Sequence, residues 1–133
     1  MTNELPRRAL SIRQPWAELI LLGAKTLEIR SRSTKVRGFV QIYASLNRED
    51  GPKQMAAAQL HGFDLDDLLR GLLIGVVEIV GSRRVGPADS AQAGFQIPAH
   101  SVLYGWELAH PRRLKDPIKP ERQAQPSFFF AHN

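Results

Sequence analysis

A short stretch of the chain combines one carboxylate with a row of cations. Between residues 25 and 37 the only acid is Glu28, and the bases are Lys25, Arg30, Arg32, Lys35 and Arg37. If residues 26–31 form a strand, alternation places Glu28 and Arg30 on one face, about 7 Å apart, with the apolar residues beside them on the core face. An arginine can grip a phosphate with two hydrogen bonds, while a glutamate accepts from a base or sugar donor. A solvated ion pair of small energetic value explains the same pattern.

A second carboxylate, Glu78, lies within an apolar run at residues 72–80. Apolar residues occupy both alternating positions around it, so both faces of this strand are expected to be covered. An isolated ionised carboxylate is costly to bury and needs a cationic or hydrogen-bonding partner. Glu78 is therefore a candidate general acid or base, unless it lies at the rim of the sheet and is simply hydrated.

Gln14, Pro15 and Trp16 stand where a helix is predicted to begin. Free backbone N–H groups at a helix start can bind an anion, and an exposed tryptophan there can stack a base. The spacing of Trp16, Leu19 and Ile20 is equally that of a stripe facing the core. Both interpretations of Trp16 stay open on the sequence.

The composition excludes several kinds of site. The chain has 133 residues, no cysteine, and four histidines without metal-ligand spacing, so disulfides, thiolate nucleophiles and a metal centre are not expected. No phosphate loop or dinucleotide-binding glycine motif occurs, and no cofactor is expected. The 18 bases and 13 acids give a net charge of +5, which favours polyanionic partners. No apolar run approaches the ~20 residues of a membrane span, and without the apolar core of a signal peptide a cytoplasmic location is expected.

Hydrophobic periodicity predicts a mixed order of short elements. Alternation and β-branched residues predict strands at 9–13, 26–31, 38–46, 72–80 and 102–108, with a last edge strand at 127–130. Propensity and capping predict helices at 16–22, 52–60 and 64–70. Region 86–101 is predicted to be mainly loop, and 111–126, with four prolines, to be extended.

Alternation also assigns faces within two of these strands. In 38–46 the predicted core face carries Val40, Ile42, Ala44 and Leu46, and the opposite face carries Phe39, Gln41, Tyr43 and Ser45. Tyr43 and Ser45 either line a cavity or face water. In 102–108 the core face is predicted to carry Val102, Tyr104, Trp106 and Leu108.

Five or six strands with two to three helices indicate a single α+β domain over residues 1–133, in which 111–133 is an extended proline-rich basic tail. The connection between strands 26–31 and 38–46 is too short for a crossover helix, which disfavours a doubly wound parallel sheet. The expected architecture is a small, partly open, mixed β-barrel with helices packed outside.

Two N-terminal motifs resemble the ASCH domain family, named for homology to the activating signal cointegrator. The family signature G-x-K-x-x-E-x-R is matched at every fixed position, by Gly23, Lys25, Glu28 and Arg30. The preceding Ser-x-x-Gln-Pro-Trp-Ala, at residues 11–17, is similar to the coactivator-like branch. The resemblance extends from about residue 9 to about residue 115, and implies a β-barrel similar to the RNA-binding PUA domain, with a cleft that takes RNA, DNA or nucleotides.

Carried over by position, the resemblance implies a cleft lined by Lys25, Glu28 and Arg30, with Gln14, Pro15 and Trp16 beside them. Some bacterial relatives are amidohydrolases that deacetylate N4-acetylcytidine with a lysine, a threonine and a later glutamate. Lys25 and Glu78 match the first and the last of these. Glu28 stands at the threonine position and cannot be the same hydroxyl nucleophile. Other relatives are described as ribonucleases.

These residues support three hypotheses. The first is a nucleic-acid-binding module, with single-stranded RNA as ligand, whose contact residues are Gln14, Pro15, Trp16, Lys25, Glu28, Arg30, Arg32, Arg37, Tyr43 and Ser45. In it Lys25 and Arg30 contact phosphate, and Glu28 reads a base or sugar edge. The second is a small hydrolase of a modified nucleoside or of RNA, with Glu78 or Glu28 as base and Lys25 stabilising negative charge. The third is a cleft for a protein partner or a free nucleotide.

Overall fold

A single six-stranded sheet organises residues 4–132, the part of the chain that the computed structural model describes. The strands are β1 Arg8–Ile12, β2 Leu27–Arg30, β3 Gly38–Ala44, β4 Leu72–Val85, β5 Leu103–Ile118 and β6 Phe128–Phe130. Their order is β2-β5-β4-β3-β1-β6, and the sheet curls into a half-barrel. Only the β1–β3 pair is parallel among the five neighbouring pairs. The predicted α+β class with a partly open, mixed barrel is confirmed.

Three short helices and two 3-10 turns lie in the connections between the strands of the described part of the chain. The helices are α1 Trp16–Leu21, α2 Pro52–His61 and α3 Ser90–Ala93, with 3-10 turns at Leu65–Asp67 and Pro87–Asp89. No helix within residues 4–132 is long and apolar enough to cross a membrane. α1 ends at Gly23, whose φ of +80° is the left-handed conformation that favours glycine. α1 packs so closely on β4 that a Cβ added at Gly75 would overlap the side chain of Leu21.

The main core lies on the concave face of the sheet, beneath α1. It contains Leu10 and Ile12 of β1, the alternate residues Val40, Ile42 and Ala44 of β3, and Ile74, Val77, Ile79, Trp106 and Leu108 of the long strands. A smaller cluster covers part of the other face and contains Ala9, Tyr43, Leu73, Phe129 and Ala131. Both faces of the sheet therefore carry buried apolar side chains, and a polar site is expected at the ends of the strands.

Strands β4 and β5 run well beyond their predicted ends at Val80 and Leu108. The residues after Leu108 contain Pro111 and Pro117, which favoured an unpaired tail, but β5 accommodates them with three register shifts against β4. Such bulges remove the need for a proline N–H in the ladder. The first part of the predicted tail, up to Ile118, is therefore strand, and the final edge strand is confirmed as β6.

Two smaller expectations were wrong, and the one for residues 86–101 holds only in part. The helix predicted for 64–70 is only a 3-10 turn, although Asp64 does cap it by accepting from the N–H of Asp66 at 2.9 Å. The loop predicted for 86–101 contains α3. Leu46 and Val102 are exposed rather than in the core: β3 ends at Ala44 and β5 begins at Leu103, so neither residue is held to the alternation of the adjoining strand.

Candidate functional site

A cavity of about 300 Å³ opens where the ends of β1, β2 and β3 meet. The start of α1 and the segment before β6 complete its wall. Its lining residues are Ser11, Arg13, Trp16, Glu28, Ile29, Arg30, Ser45, Asn47, Pro126 and Ser127. Four of the predicted contact residues, Trp16, Glu28, Arg30 and Ser45, are therefore brought together.

Glu28 and Arg30 form the polar centre of this cavity. As alternation predicted, they share a face of β2, and Arg30 Nε donates to Glu28 Oε2 at 2.9 Å. Arg30 Nη2 donates to the backbone carbonyl of Ser11 at 2.8 Å, and its guanidinium carbon lies 5.2 Å from the ring centre of Trp106. Since the Glu28 side chain is only 9% exposed and that of Arg30 23%, this pair is not the solvated surface pair of the alternative interpretation.

The Glu28–Arg30 pair retains hydrogen-bonding capacity that its contacts with the protein do not use. Among residues 4–132, no hydrogen bond engages Nη1 of Arg30, whose other two nitrogens are occupied. A guanidinium bound at two nitrogens is fixed in orientation and can still donate through the third. The Glu28 carboxylate also retains free lone pairs, because each oxygen accepts from more than one direction.

Lys25 lies behind the cavity and not in its lining. Its ammonium donates to the carbonyl of Ala93 at 2.5 Å and lies 3.8 Å from Glu28 Oε1. The ring centres of Trp16 and Phe95 are 5.1 and 5.4 Å from Nζ. Burial lowers the pKa of Lys25 to about 8, because the charged form loses its hydration and Glu28 compensates only in part. Lys25 is therefore buried behind Glu28, with its ammonium facing Ala93 and Glu28.

Gln14 and Pro15, the two residues before α1, are not among the lining residues of the cavity. Gln14 is buried, and its amide accepts from the N–H of Glu18 at 2.9 Å and donates to the carbonyl of Leu69 at 3.0 Å. Both ends of this amide are thus occupied in fixing the start of α1. Pro15, joined to Gln14 by a cis peptide bond, is the residue before α1.

Trp16 combines the two interpretations that the sequence left open. One side of the indole packs against the main core and lies 5.5 Å from the ring of Phe95. The residue is only half-buried, and another part of it lines the cavity. Leu19 and Ile20, which share its helical stripe, are fully buried.

Tyr43 lines a neighbouring cavity of about 180 Å³, which shares Ser11, Ser45, Asn47 and Pro126 with the first. The tyrosine ring is buried edge-on against Phe129 at 5.5 Å. Ser45 belongs to both cavities, and its hydroxyl accepts from the N–H of Asn47 at 3.1 Å. The two cavities are therefore direct neighbours with a partly shared wall.

Arg32 and Arg37 lie outside the lining of either cavity. Both are exposed, and Arg37 donates to the carbonyls of Thr34 and Val36. The carbonyl of Arg32 accepts from Trp106 Nε1 at 2.9 Å. The structure thus uses the backbone of this basic stretch to hold Trp106 below Arg30.

Glu78 is not brought together with Lys25 and Glu28. It has the partner that its apolar surroundings required, His110, whose Nδ1 lies 3.0 Å from Glu78 Oε1. The pair adjoins a separate cavity of about 520 Å³, lined by Phe39, His110 and Arg112 among others. Its carboxylate side chain is 29% exposed and the histidine 73% exposed, so the hydrated-rim interpretation describes it better than a buried carboxylate.

Sequence reasoning missed six lining residues: Ser11, Arg13, Ile29, Asn47, Pro126 and Ser127. Alternation in β1 could have placed Ser11 opposite Leu10 and Ile12. No local signal could have found Ser127, which reaches the site because its carbonyl accepts from the N–H of Ser11 at 2.9 Å. The Ser11 hydroxyl likewise donates to the carbonyl of Gln125 at 2.6 Å. Within residues 4–132, no group of three or more metal-ligating side chains could hold a metal ion.

Comparisons with known proteins agree with this architecture. The family model of the ASCH domain matches residues 10–118. The ASCH protein of Zymomonas mobilis superposes with a TM-score of 0.62 at 14% identity, over 92% of this chain and 85% of that chain. A tyrosine-to-phenylalanine variant of it gives 0.58 at 14% identity, over 92% and 88%. A serine-to-alanine variant gives 0.57 at 15% identity, over 92% and 86%. These likenesses establish the fold, and no curated protein matches the chain.

Proposed function

The chain belongs to the ASCH domain family, and we propose that it binds single-stranded RNA, one base of which enters the cavity beside Glu28 and Arg30. The observation that carries the proposal is the ordered Glu28–Arg30 pair, bonded at 2.9 Å in a cavity that Trp16 borders. It joins a fixed cation, a fixed acceptor and an aromatic surface in one recess. Those are the three contacts that nucleotide recognition uses.

Each group has a separate task in this proposal. Arg30, held by Glu28 and Ser11, donates through Nη1 to a phosphate oxygen. Glu28 accepts from the exocyclic amine of a base or from a sugar hydroxyl. The half-buried indole of Trp16 offers a stacking surface at the cavity edge. Lys25 keeps the Glu28 carboxylate in place from behind.

The size and depth of the cavity favour an unpaired base. Small-molecule sites occupy roughly 300–1,000 Å³, and this one lies at the lower end at about 300 Å³. A base stacked and paired within a duplex cannot enter such a recess without being extruded, whereas bases of a single strand are already free. The exposed cations Arg32 and Arg37 supply sequence-independent attraction outside it.

The hydrolase alternative requires Lys25 to act with a general base, either Glu78 or Glu28. Glu78 adjoins a different cavity and is paired with His110, so the version with Glu78 receives no support from the geometry. Glu28 lies 3.8 Å from the Lys25 ammonium, so the version with Glu28 as base is the one to be measured. We therefore keep deacetylation of N4-acetylcytidine and RNA cleavage as outcomes to be measured beside binding. Release of cytidine or of shorter RNA would replace the binding proposal by an enzymatic one.

The test is a fluorescence-anisotropy titration of a labelled eight-nucleotide single-stranded RNA, with duplex DNA beside it, at low and moderate salt. We expect salt-sensitive binding that prefers the single strand. Arg30→Gln should weaken it at least tenfold, because a buried charge-assisted contact is lost. Arg84→Gln is the matched control, since Arg84 also lies over an aromatic residue of β5, Tyr104, at 5.9 Å, but outside the cavity. Absence of RNA binding at low salt, or equal loss in both variants, would refute the proposal.

A further inference from the structure

A continuous file of arginines and aromatic rings leads away from the cavity. It begins at Arg30, which lies over Trp106, and Trp106 is stacked parallel to Phe128 with ring centres 5.3 Å apart. Arg8 lies 5.8 Å from the ring of Phe128 and 5.6 Å from that of Phe130, and Arg7 lies 5.1 Å from Phe130. We call this set the arginine–aromatic ladder: Arg30, Trp106, Phe128, Arg8, Phe130 and Arg7.

The ladder is continuous with the cavity in both space and sequence. Arg30 is the polar centre of the cavity, and Ser127, which lines it, directly precedes Phe128. β6 then pairs antiparallel with β1, with Phe130 opposite Arg8 and Phe128 opposite Leu10. This register brings a side chain of β1 between two rings of β6 and carries the file to the outer edge of the sheet.

The outer end of the ladder is accessible and positively charged. Phe130 is 46% exposed and Arg7 is exposed, while the inner members Trp106 and Phe128 are buried or half-buried. Within residues 4–132, neither Arg7 nor Arg8 forms an ion pair with a carboxylate. Two cations without a carboxylate partner beside an exposed ring give this edge a positive potential and suit an anionic, stacking ligand.

We propose that the exposed end of the ladder is the path of the RNA strand outside the cavity, with the neighbouring nucleotide stacked at Phe130 and its phosphates held by Arg7 and Arg8. The inference rests on the proposed function and deepens it: the ligand is a strand rather than a free nucleotide. Unpaired bases stack both on aromatic rings and on guanidinium planes. Alternating rings and guanidinium groups therefore offer stacking surfaces for any base, together with positive charge for the phosphates of the RNA.

The decisive variant is Phe130→Ala, measured with the labelled eight-nucleotide RNA and with an unlabelled mononucleotide as competitor. Affinity for the strand should fall about tenfold, the range for loss of one base–aromatic stack, while the mononucleotide in the cavity keeps its affinity. Phe39→Ala is the matched control, because Phe39 is equally exposed, at 49%, but lies beside the separate cavity of His110. Its effect should stay within twofold.

A second variant keeps the test valid if loss of Phe130 perturbs β6. Arg7→Gln leaves the ring in place and should reduce the slope of log K against log salt by about 0.7, the value for one phosphate contact on a single strand. Arg84→Gln should leave the slope unchanged. Equal behaviour of Phe130→Ala and Phe39→Ala, with an unchanged slope in Arg7→Gln, would overturn the ladder.

The outcomes separate this inference from the function on which it rests. RNA binding that depends on Arg30 but not on Phe130 or Arg7 would remove the ladder and keep the cavity. No RNA binding by the wild-type chain would remove the proposed function itself. A dimer in sedimentation equilibrium that Phe130→Ala dissociates, with RNA affinity unchanged, would overturn the ladder and assign the β6 edge to a second copy of the chain.

Discussion

Two carboxylates of this chain each pair with a basic side chain beside a cavity, yet their surroundings differ. Glu28 lies between Arg30 and the buried Lys25, under aromatic rings. Glu78 pairs with His110, whose side chain is 73% exposed. Charges at the first site are poorly hydrated, so each depends on the others. At the second site water can replace either partner. The two pairs have similar N–O distances, so their burial, more than their distance, decides how much each partner depends on the other.

Removal of each carboxylate in turn is expected to have the largest effect, and it tests whether burial separates the two sites. Glu28→Ala leaves two poorly hydrated cations without an anion and should lower the free energy of unfolding by about 3–5 kcal/mol. Glu78→Ala should lower it by about 1 kcal/mol or less, because its partner is solvated. Urea denaturation at pH 7 measures both. Equal losses in the two variants would show that depth does not separate the sites.

The buried lysine gives a pH test of the first site. The pKa of Lys25 is about 8 in the folded chain and 10.5 ordinarily. Between these values the unfolded chain binds the proton and the folded chain does not, so stability rises with pH, by up to about 3 kcal/mol. Below pH 8 both states bind it and the full cost of burying the charge is present.

Lys25→Met removes this titration while keeping an apolar side chain of similar length. The difference in unfolding free energy between wild type and variant should therefore change between pH 8 and pH 10, in favour of the wild type. Subtracting the two curves cancels the other lysines and the tyrosines. Parallel curves over this range would mean that Lys25 is hydrated in the folded chain.

Arg30→Lys tests whether the site needs the guanidinium geometry or only the positive charge. Arg30→Lys keeps the charge but cannot donate to Glu28, Ser11 and a ligand at once in the planar arrangement of a guanidinium. We expect RNA affinity about tenfold lower, roughly 1.4 kcal/mol, with a small change in stability. Anisotropy titration and thermal unfolding on the same preparations measure the two effects. Full retention of affinity would show that charge alone is sufficient at this position.

The smallest effect is expected at the exposed pair. His110 has a φ of +55°, a conformation that asparagine adopts more readily than most residues. His110→Asn should therefore change the free energy of unfolding by no more than about 0.5 kcal/mol, although it replaces the partner of Glu78. Denaturation monitored by circular dichroism suffices. A loss of several kcal/mol would place Glu78 and His110 in the same class as the pair at the cavity.

Local patterns were sufficient to assign faces within the regular part of a strand or helix. Alternation alone placed Glu28 and Arg30 on one face, and helical spacing placed Leu19 and Ile20 in the core. Which side of β2 faces a cavity, and that Lys25 turns inward beneath Trp16 and Phe95, depend on contacts distant in sequence. The same reason hid His110 as the partner of Glu78, since 32 positions separate them.

The C-terminal part shows where composition misleads. The prolines after Leu108 predicted that this segment is not paired in the sheet. It does pair with β4, because register shifts in β5 accommodate the prolines. The segment before β6 contains no motif, yet it walls the cavity through backbone bonds to Ser11. Nearly every residue has the same backbone donor and acceptor, so a wall held by backbone hydrogen bonds cannot be predicted from the residue types of a single sequence.

That wall also sets an order of events when the chain is made. Ser11 and the carbonyl of Gln125 that it binds are 114 positions apart. The signature residues and α1 are synthesised early, but the recess around them is incomplete until Pro126 and Ser127 have emerged from the ribosome and β6 has paired with β1. Contacts so distant in sequence form late because a long loop must first be closed. A nascent chain that stops before Gln125 carries the whole signature and lacks part of the wall that encloses it.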